Sequence, residues 1–251
     1  MIKYEIKSST ALITLNRPEK RNSLNPQLVQ SIKDAISNSE SDINVKSIII
    51  TGEGSSFCAG ADLSYLNQIK EFSISENQQD SKNLADMYKF IYFCSKPTIA
   101  VVNGPAIAGG CGLASVCDYV FADKGQAKFG YTEVKIGFVP AIVSVFLLKR
   151  TSSSKAFQLL LSGEIIDSIS AKEFGLVDFI SDNSLEDAIK FCNKLNSNST
   201  QSYEFIKSMK KLYDYNFITN SINYLMELNV LSRSNEDFKQ GLLNFLNKSK
   251  V

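Results

Sequence analysis

No histidine occurs among the 251 residues. That absence excludes Ser-His-Asp and Cys-His nucleophile systems and histidine-ligated zinc. Acid–base chemistry near neutral pH therefore falls to a carboxyl, a lysine, a tyrosine or a thiol. Cysteine is sparse as well: Cys58, Cys94, Cys111, Cys117 and Cys192 are odd in number and lack metal-site spacing, which reads as free thiols and no metal centre. No apolar run approaches the roughly 18 residues of a membrane span. Met1-Ile2-Lys3-Tyr4-Glu5 leads directly into a strand pattern, so the expectation is a cytoplasmic protein with no signal peptide and no membrane contact. Excess charge of either sign is also missing. Lys+Arg 27 against Asp+Glu 26 leaves +1, which argues against a dedicated nucleic-acid binder. No fixed-period repeat or low-complexity tract divides the chain, and 44% hydrophobic content can fill one large domain or a domain with a helical tail.

What is present is organised around Thr98 to Glu133. The β-branched run from Thr98 to Val102 stops at Asn103-Gly104-Pro105, a buried strand ended by a turn. Gly109-Gly110 then opens a short helical stretch, Leu113 to Cys117. First-turn N–H groups of a helix have no intrahelical partner and attract negative charge. A phosphate loop requires Lys and Ser/Thr where Gly110 and Cys111 stand, and Gly104-Pro105-Ala106 breaks a dinucleotide fingerprint at its third position. The remaining readings are a donor for a small anion or for an oxygen that becomes negative during a reaction, or simply a tight packing turn. A second strand-then-glycine turn, Lys46 to Thr51 followed by Gly52, Gly54 and Ser56-Phe57-Cys58-Ala59-Gly60-Ala61-Asp62-Leu63, favours two backbone donors on one oxygen.

Along the chain, residues 2–7 and 11–15 read as strands, and Pro26 opens a helix with Leu28, Ile32, Ala35 and Ile36 on one face. Asp62 is placed to cap the helix after it. Residues 71–81 are polar and aperiodic, which predicts a mobile loop or a poorly ordered helix, and helical periodicity returns over residues 81–94. A turn over residues 136–140 leads to helices over 141–149 and 154–161. Two later stripes, Leu185/Ala188/Ile189/Cys192/Leu195 and Ile222/Leu225/Leu228/Leu231, read as helix–helix or subunit contacts. Lys207, Lys210 and Lys211 read as a solvated helix face, with RNA binding as the alternative.

Four segments, residues 15–24, 57–63, 103–113 and 129–137, resemble the enoyl-CoA hydratase/isomerase (crotonase) superfamily in order and spacing, over nearly the whole chain. The resemblance implies an α/β fold: a spiral of β-β-α turns over residues 1–195, and a C-terminal helical region over 196–251 that serves trimerisation and closure of the coenzyme A site. It implies an acyl-CoA thioester as substrate, no cofactor beyond the coenzyme A carried by that substrate, no nucleic acid, and a homotrimer or dimer of trimers. It places the loop from Arg17 to Leu24 against adenosine, with Lys20 and Arg21 near phosphates, where a solvated charge pair is the alternative. Ala59, Asp62, Leu63, Tyr131 and Val139 fall among the substrate-binding positions. Phe245 and Lys248 match a C-terminal signature that helps close a neighbouring subunit's site, unless Phe245 is core packing. The acyl pocket draws partly on Leu66, residues 71–81, Val139 and Ile142.

By family position, the backbone N–H groups of Ala61 and Gly109 would stabilise the enolate oxygen of a thioester, a contact whose loss typically costs about 3 kcal/mol. Glu133 stands where the family's second catalytic glutamate is found. A carboxyl facing an apolar chain has a raised pKa suited to proton shuttling, while a helix-start glutamate is the alternative. The first catalytic glutamate of the two-glutamate hydratases aligns with Gly112. A lone glutamate suits an isomerase that shifts a double bond. Residues 134–143 look more like branched-chain hydratases of the methylglutaconyl type, so hydration leads, with isomerisation or acyl-CoA binding without turnover as alternatives. Tyr131 is the candidate to orient water in place of the missing glutamate.

Overall fold

The computed structural model describes residues 1–248. In chain order, the first half contains β1 (Ile2–Lys7), β2 (Thr10–Leu15), α1 (Pro26–Ser41), β3 (Ser47–Gly52), α2 (Leu63–Ile69), α3 (Ile74–Tyr92), β4 (Thr98–Val102), β5 (Pro105–Ile107), α4 (Gly109–Ser115) and β6 (Tyr119–Asp123). The second half contains β7 (Lys128–Gly130), α5 (Ala141–Arg150), α6 (Ser153–Ser162), β8 (Ile165–Asp167), α7 (Ser168–Glu173), β9 (Phe179–Ser181), α8 (Ser184–Asn196), α9 (Thr200–Ser234) and α10 (Glu236–Lys248).

Six strands form one sheet in the order β1-β2-β3-β4-β6-β9, and β5-β7-β8 form a second. β1 and β2 are an antiparallel hairpin, and the rest of the large sheet is parallel. Parallel strands are covered on both faces, which is why their sequences are nearly unbroken apolar runs. The period of two divides those runs: Ile48 and Ile50 enter the main core with Leu28, Ile32 and Ile91 from α1 and α3, whereas Ile49 packs with Ile99, Val101 and Phe121 under Ala188 and Cys192 of α8. Ala188, Ile189 and Cys192 of the α8 stripe thus pack on the sheet rather than on another helix. The parallel strands end in turns, and successive turns are gathered at one end of the sheet, where the short strands β5 and β7 carry the chain onward.

Three other expectations change. The polar stretch before residue 81 is ordered helix: α3 starts at Ile74, because Ser73 caps it and Glu76 returns the hydrogen bond, forming a capping box. On α9, Ile222 is buried and Leu225 half-buried, but Leu231 is exposed, so the stripe covers only part of the helix. Lys207 and Lys210 are not a solvated face. Both ammonium groups reach the half-buried carboxylate of Asp118, Lys210 at 3.1 Å while also lying 3.7 Å from the centre of the Tyr92 ring, and only Lys211 is exposed. All five cysteines are buried free thiols, and burial pushes Cys58, Cys111 and Cys117 up to about 12. Among the described residues, no helix is long and apolar enough to cross a membrane.

Candidate active site

The two glycine turns meet backbone against backbone. Asn103, at the end of β4, ties them together: its amide donates to the carbonyls of Gly52 and Gly54 at 2.9 Å each, and its side-chain oxygen accepts from Gly52 N–H at 3.2 Å. Cys58 and Ala106 form a further bridge, Cys58 N–H to Pro105 at 3.1 Å and Ile107 N–H to Cys58 at 2.9 Å. Contact this close requires glycine. A Cβ on Gly110 would lie 2.7 Å from the Cys58 carbonyl carbon, and one on Gly60, whose φ is +84°, would lie 2.9 Å from the Ile107 oxygen and 3.6 Å from the nitrogen of Gly109. The last distance brings the peptide after Gly60 beside the start of α4.

Each candidate donor is aimed by its own peptide group. The Gly60 carbonyl accepts from Leu24 N–H at 2.7 Å, and the Ala108 carbonyl accepts from Gly112 N–H at 3.1 Å inside the first turn of α4. In a trans peptide the N–H points opposite the C=O, so the N–H groups of Ala61 and Gly109 are turned away from these partners. Neither has an acceptor among the described residues, and both residues line one pocket of about 760 Å³. Ala108 holds the second donor in place through an uncommon backbone, φ 53° and ψ −123°, of a kind that persists only where its surroundings enforce it. Its N–H to Gly130 (2.7 Å) is one such restraint. The Tyr88 hydroxyl supplies another, donating to the Gly109 carbonyl at 2.8 Å. Tyr88 is fully buried, and burial, with Cys58 and Glu133 nearby, raises its pKa well above the usual phenol value, so the hydroxyl remains a donor.

Glu133 begins a 3-10 turn, Glu133–Ile136, after β7. Its side chain lines the same pocket, the residue is 7% exposed, and Oε2 is buried with no hydrogen-bond partner. Burial pushes the carboxyl from 4.5 up to about 8, opposed only by a hydrogen bond from its own backbone N–H. A carboxyl so placed can give or take a proton near neutral pH. Gly112 lies on the buried side of α4, and a Cβ there would overlap the Val143 side chain, coming 2.8 Å from its Cβ. Val143 of α5 thus occupies the space that a side chain at 112 would need.

Other residues singled out from the sequence divide around this pocket. Arg21, Ala59, Leu63, Val139 and Phe245 line it, as do Leu66 and Ile142. Asp62 does not: it accepts from Ser64 N–H at 2.9 Å, capping α2, and pairs with buried Arg17 at 2.7 Å. Burial would raise the Asp62 pKa, but its hydrogen bonds from Ser64 and Arg17 prevail and lower it. Lys20 is exposed and outside the lining. Tyr131 is also outside it, because alternation along β7 and the turn that follows sends its ring into the core, with its hydroxyl 3.0 Å from that of Ser115. The side chain of Lys248 lies outside the described residues. Tyr88, Val143 and the Arg233–Asp80 pair, all on the pocket wall, escaped sequence reading. Tyr88 falls within the helical periodicity of residues 81–94, where it reads as packing, and the ion pair joins α3 to α9 across 153 residues.

A family model described as enoyl-CoA hydratase/isomerase matches residues 5–251. A Thermus thermophilus protein that carries an enoyl-CoA hydratase name is 37% identical over 250 residues, covering 99% of this chain and 98% of that protein. The 2,3-dehydroadipyl-CoA hydratase of Escherichia coli is 31% identical over 240 residues, 94% of this chain and 92% of that one. Among solved structures, an enoyl-CoA hydratase from Bacillus halodurans superposes with a TM-score of 0.90 at 25% identity, covering 97% of this chain and 99% of that one. With its parallel sheet, its glycine turns and its helical C-terminal region, the chain is a member of the enoyl-CoA hydratase/isomerase family, the crotonase superfamily.

Proposed function

We propose that the protein hydrates an enoyl-CoA, holding the thioester oxygen between the N–H groups of Ala61 and Gly109 and moving protons through Glu133. The observation that carries this reading is that two acceptor-free N–H groups and a buried carboxyl with one unpaired oxygen line one pocket. As the water oxygen bonds the β-carbon, the C=C electron pair shifts toward the thioester and negative charge gathers on its oxygen, where fixed donors act most strongly. Glu133, protonated at neutral pH, gives its proton to the α-carbon, and the proton lost by the water restores the carboxyl, so one group closes the cycle. Arg21 stands at the exposed side of the pocket for coenzyme A, with Lys20 beside it in sequence. The methylglutaconyl-type acyl group belongs to this reading through the resemblance of residues 134–143. So does assembly as a trimer or dimer of trimers, supported by the exposed apolar side chains Phe205, Met209, Leu212 and Tyr213 on α9, a patch that water alone covers poorly.

Val143, filling the place of a first glutamate, favours one second reading: an isomerase in which Glu133 takes a proton from one carbon and returns it to another. Mass spectrometry after incubation with crotonyl-CoA, 3-methylglutaconyl-CoA and a 3-enoyl-CoA in deuterated water separates the two. Hydration adds the mass of water with one deuterium at the α-carbon. Deuterium without added water, or a shifted double bond seen by NMR at unchanged mass, indicates isomerisation, and no change in any ester by either readout overturns both. Glu133→Gln is expected to abolish turnover while acyl-CoA binding persists; near-normal turnover would remove Glu133 from the mechanism.

A further inference from the structure

The pocket that holds Glu133 has a second polar group on its wall, which the chemistry above leaves unused. Tyr65 from α2, Asp80 from α3, and Asn229 and Arg233 from α9 all line it. Arg233 is 4% exposed. Its Nη1 donates to Asp80 at 2.7 Å and to Asn77 at 3.1 Å, and the other Asp80 oxygen accepts from the Tyr65 hydroxyl. Nε of Arg233 is buried with no partner. Asn229, also 4% exposed, accepts from the Ser81 hydroxyl at 3.0 Å, and its amide nitrogen has no acceptor among the described residues. Apolar side chains such as Leu66, Ile69 and Phe138 line the same pocket. A plain hydrocarbon would be served by more of these, and a buried guanidinium beside it would keep an unsatisfied donor.

We infer that the pocket selects acyl groups that carry an oxygen acceptor, a carboxylate or a neutral carbonyl, beyond the reacting double bond, and that Arg233 and Asn229 receive it. This rests on the acyl-CoA reading above. The elements argue for it as well as the atoms. The thioester end is held by the turns before α2 and α4, while this group comes from α2, α3 and α9 on the wall of the same pocket, where an acyl chain can carry an acceptor to it. Asp80 already balances the charge of Arg233, which makes free donors, not net charge, the feature on offer. A neutral carbonyl can therefore answer as well as a carboxylate. A site that keeps buried donors for a substrate acceptor penalises the analogue that lacks one.

Binding of saturated esters tests this without any turnover. Titration calorimetry would compare glutaryl-CoA and adipyl-CoA, and the terminal methyl ester of each, with pentanoyl-CoA and hexanoyl-CoA. The expected result is that at least one acceptor-bearing ester binds about 10-fold or more tightly than the alkyl ester of equal length. Preference for the diacid alone assigns a carboxylate, and preference shared by the methyl ester assigns a neutral acceptor. Arg233→Met leaves Asp80 buried without its cation and could fail to fold, so Asp80→Asn/Arg233→Met removes both charges. That double variant should lose the preference, binding hexanoyl-CoA and the acceptor-bearing esters of equal length alike. Equal binding of alkyl and acceptor esters by the wild type, no binding of any ester, or a preference that survives in the double variant, overturns the inference. The hydration reading fails on a different measurement, the absence of water mass in every ester tried, 3-methylglutaconyl-CoA included, so either can fall alone.

Discussion

Replacing Glu133 with glutamine should make the protein more stable at alkaline pH, by an amount that follows from its burial. The carboxyl is pushed from 4.5 in the open chain to about 8 in the fold. Between those values the folded chain retains a proton that the unfolded chain releases. The sign follows: the contribution is complete below pH 4.5 and is lost as pH rises through 8, because the native state binds more protons. Each pH unit well inside that window removes about 1.4 kcal/mol. Integrated from pH 5 to pH 9, with the native group itself ionising near the top, the loss is about 4 kcal/mol. Glutamine has the same shape and no proton to lose, so its stability carries no such slope. For a chain of this size, 1 kcal/mol moves the melting temperature by roughly 2–4 °C. Calorimetric melting of wild type and Glu133→Gln across pH 5 to 9 should therefore give curves that nearly meet at the acid end and separate by roughly 8–16 °C more at the alkaline end. Parallel curves would mean that Glu133 ionises in the fold as readily as in water, and the argument from burial would fail with them.

The pH dependence of kcat/KM separates the two chemistries: delivery of a proton to the α-carbon requires the neutral acid, so hydration should decline as pH rises through about 8, whereas isomerisation, begun by the carboxylate, should rise through the same point. A profile flat from pH 6 to 9 would exclude Glu133 from both. Gly112→Ala should destabilise by about 1–3 kcal/mol through collision with Val143, and Val143→Ala should restore most of that loss in the double variant; melting of the four proteins completes the cycle, and independent, additive losses would refute the contact. Tyr131→Phe should leave turnover unchanged and cost about 1 kcal/mol of stability for the bond to Ser115; a tenfold fall in kcat would place that hydroxyl in the chemistry after all.

The glycine turns could be read from sequence because their requirement is local: a chain that passes within 3 Å of another backbone can carry no side chain, and Gly60 and Gly110 record that directly. The start of α3 was equally local, in Ser73 and Glu76, but a capping box inside a polar run has no apolar periodicity to announce it. Tyr131 shows what proximity in sequence cannot give. It lies two residues from Glu133, yet the turn between them sends one side chain to the core and the other to the pocket. Tyr88, which does face the pocket, has the spacing of a packing residue and a hydroxyl whose partner lies 21 residues further on. Lys207 and Arg233 were beyond reach for a stronger reason: Asp118 and Asp80 stand 89 and 153 positions away, and only the packing of α9 against the earlier helices pairs them.

Because the proposed thioester cradle is made of main-chain atoms, it has an unusual pattern of vulnerability to inherited change. Altering the residue at 61 leaves the amide where it was. The weak point is one step earlier, at Gly60, where a single added methyl would press on the Ile107 oxygen and require a left-handed φ from an ordinary residue. The chain can therefore drift at the donor it uses while remaining tied to a neighbour that touches no substrate.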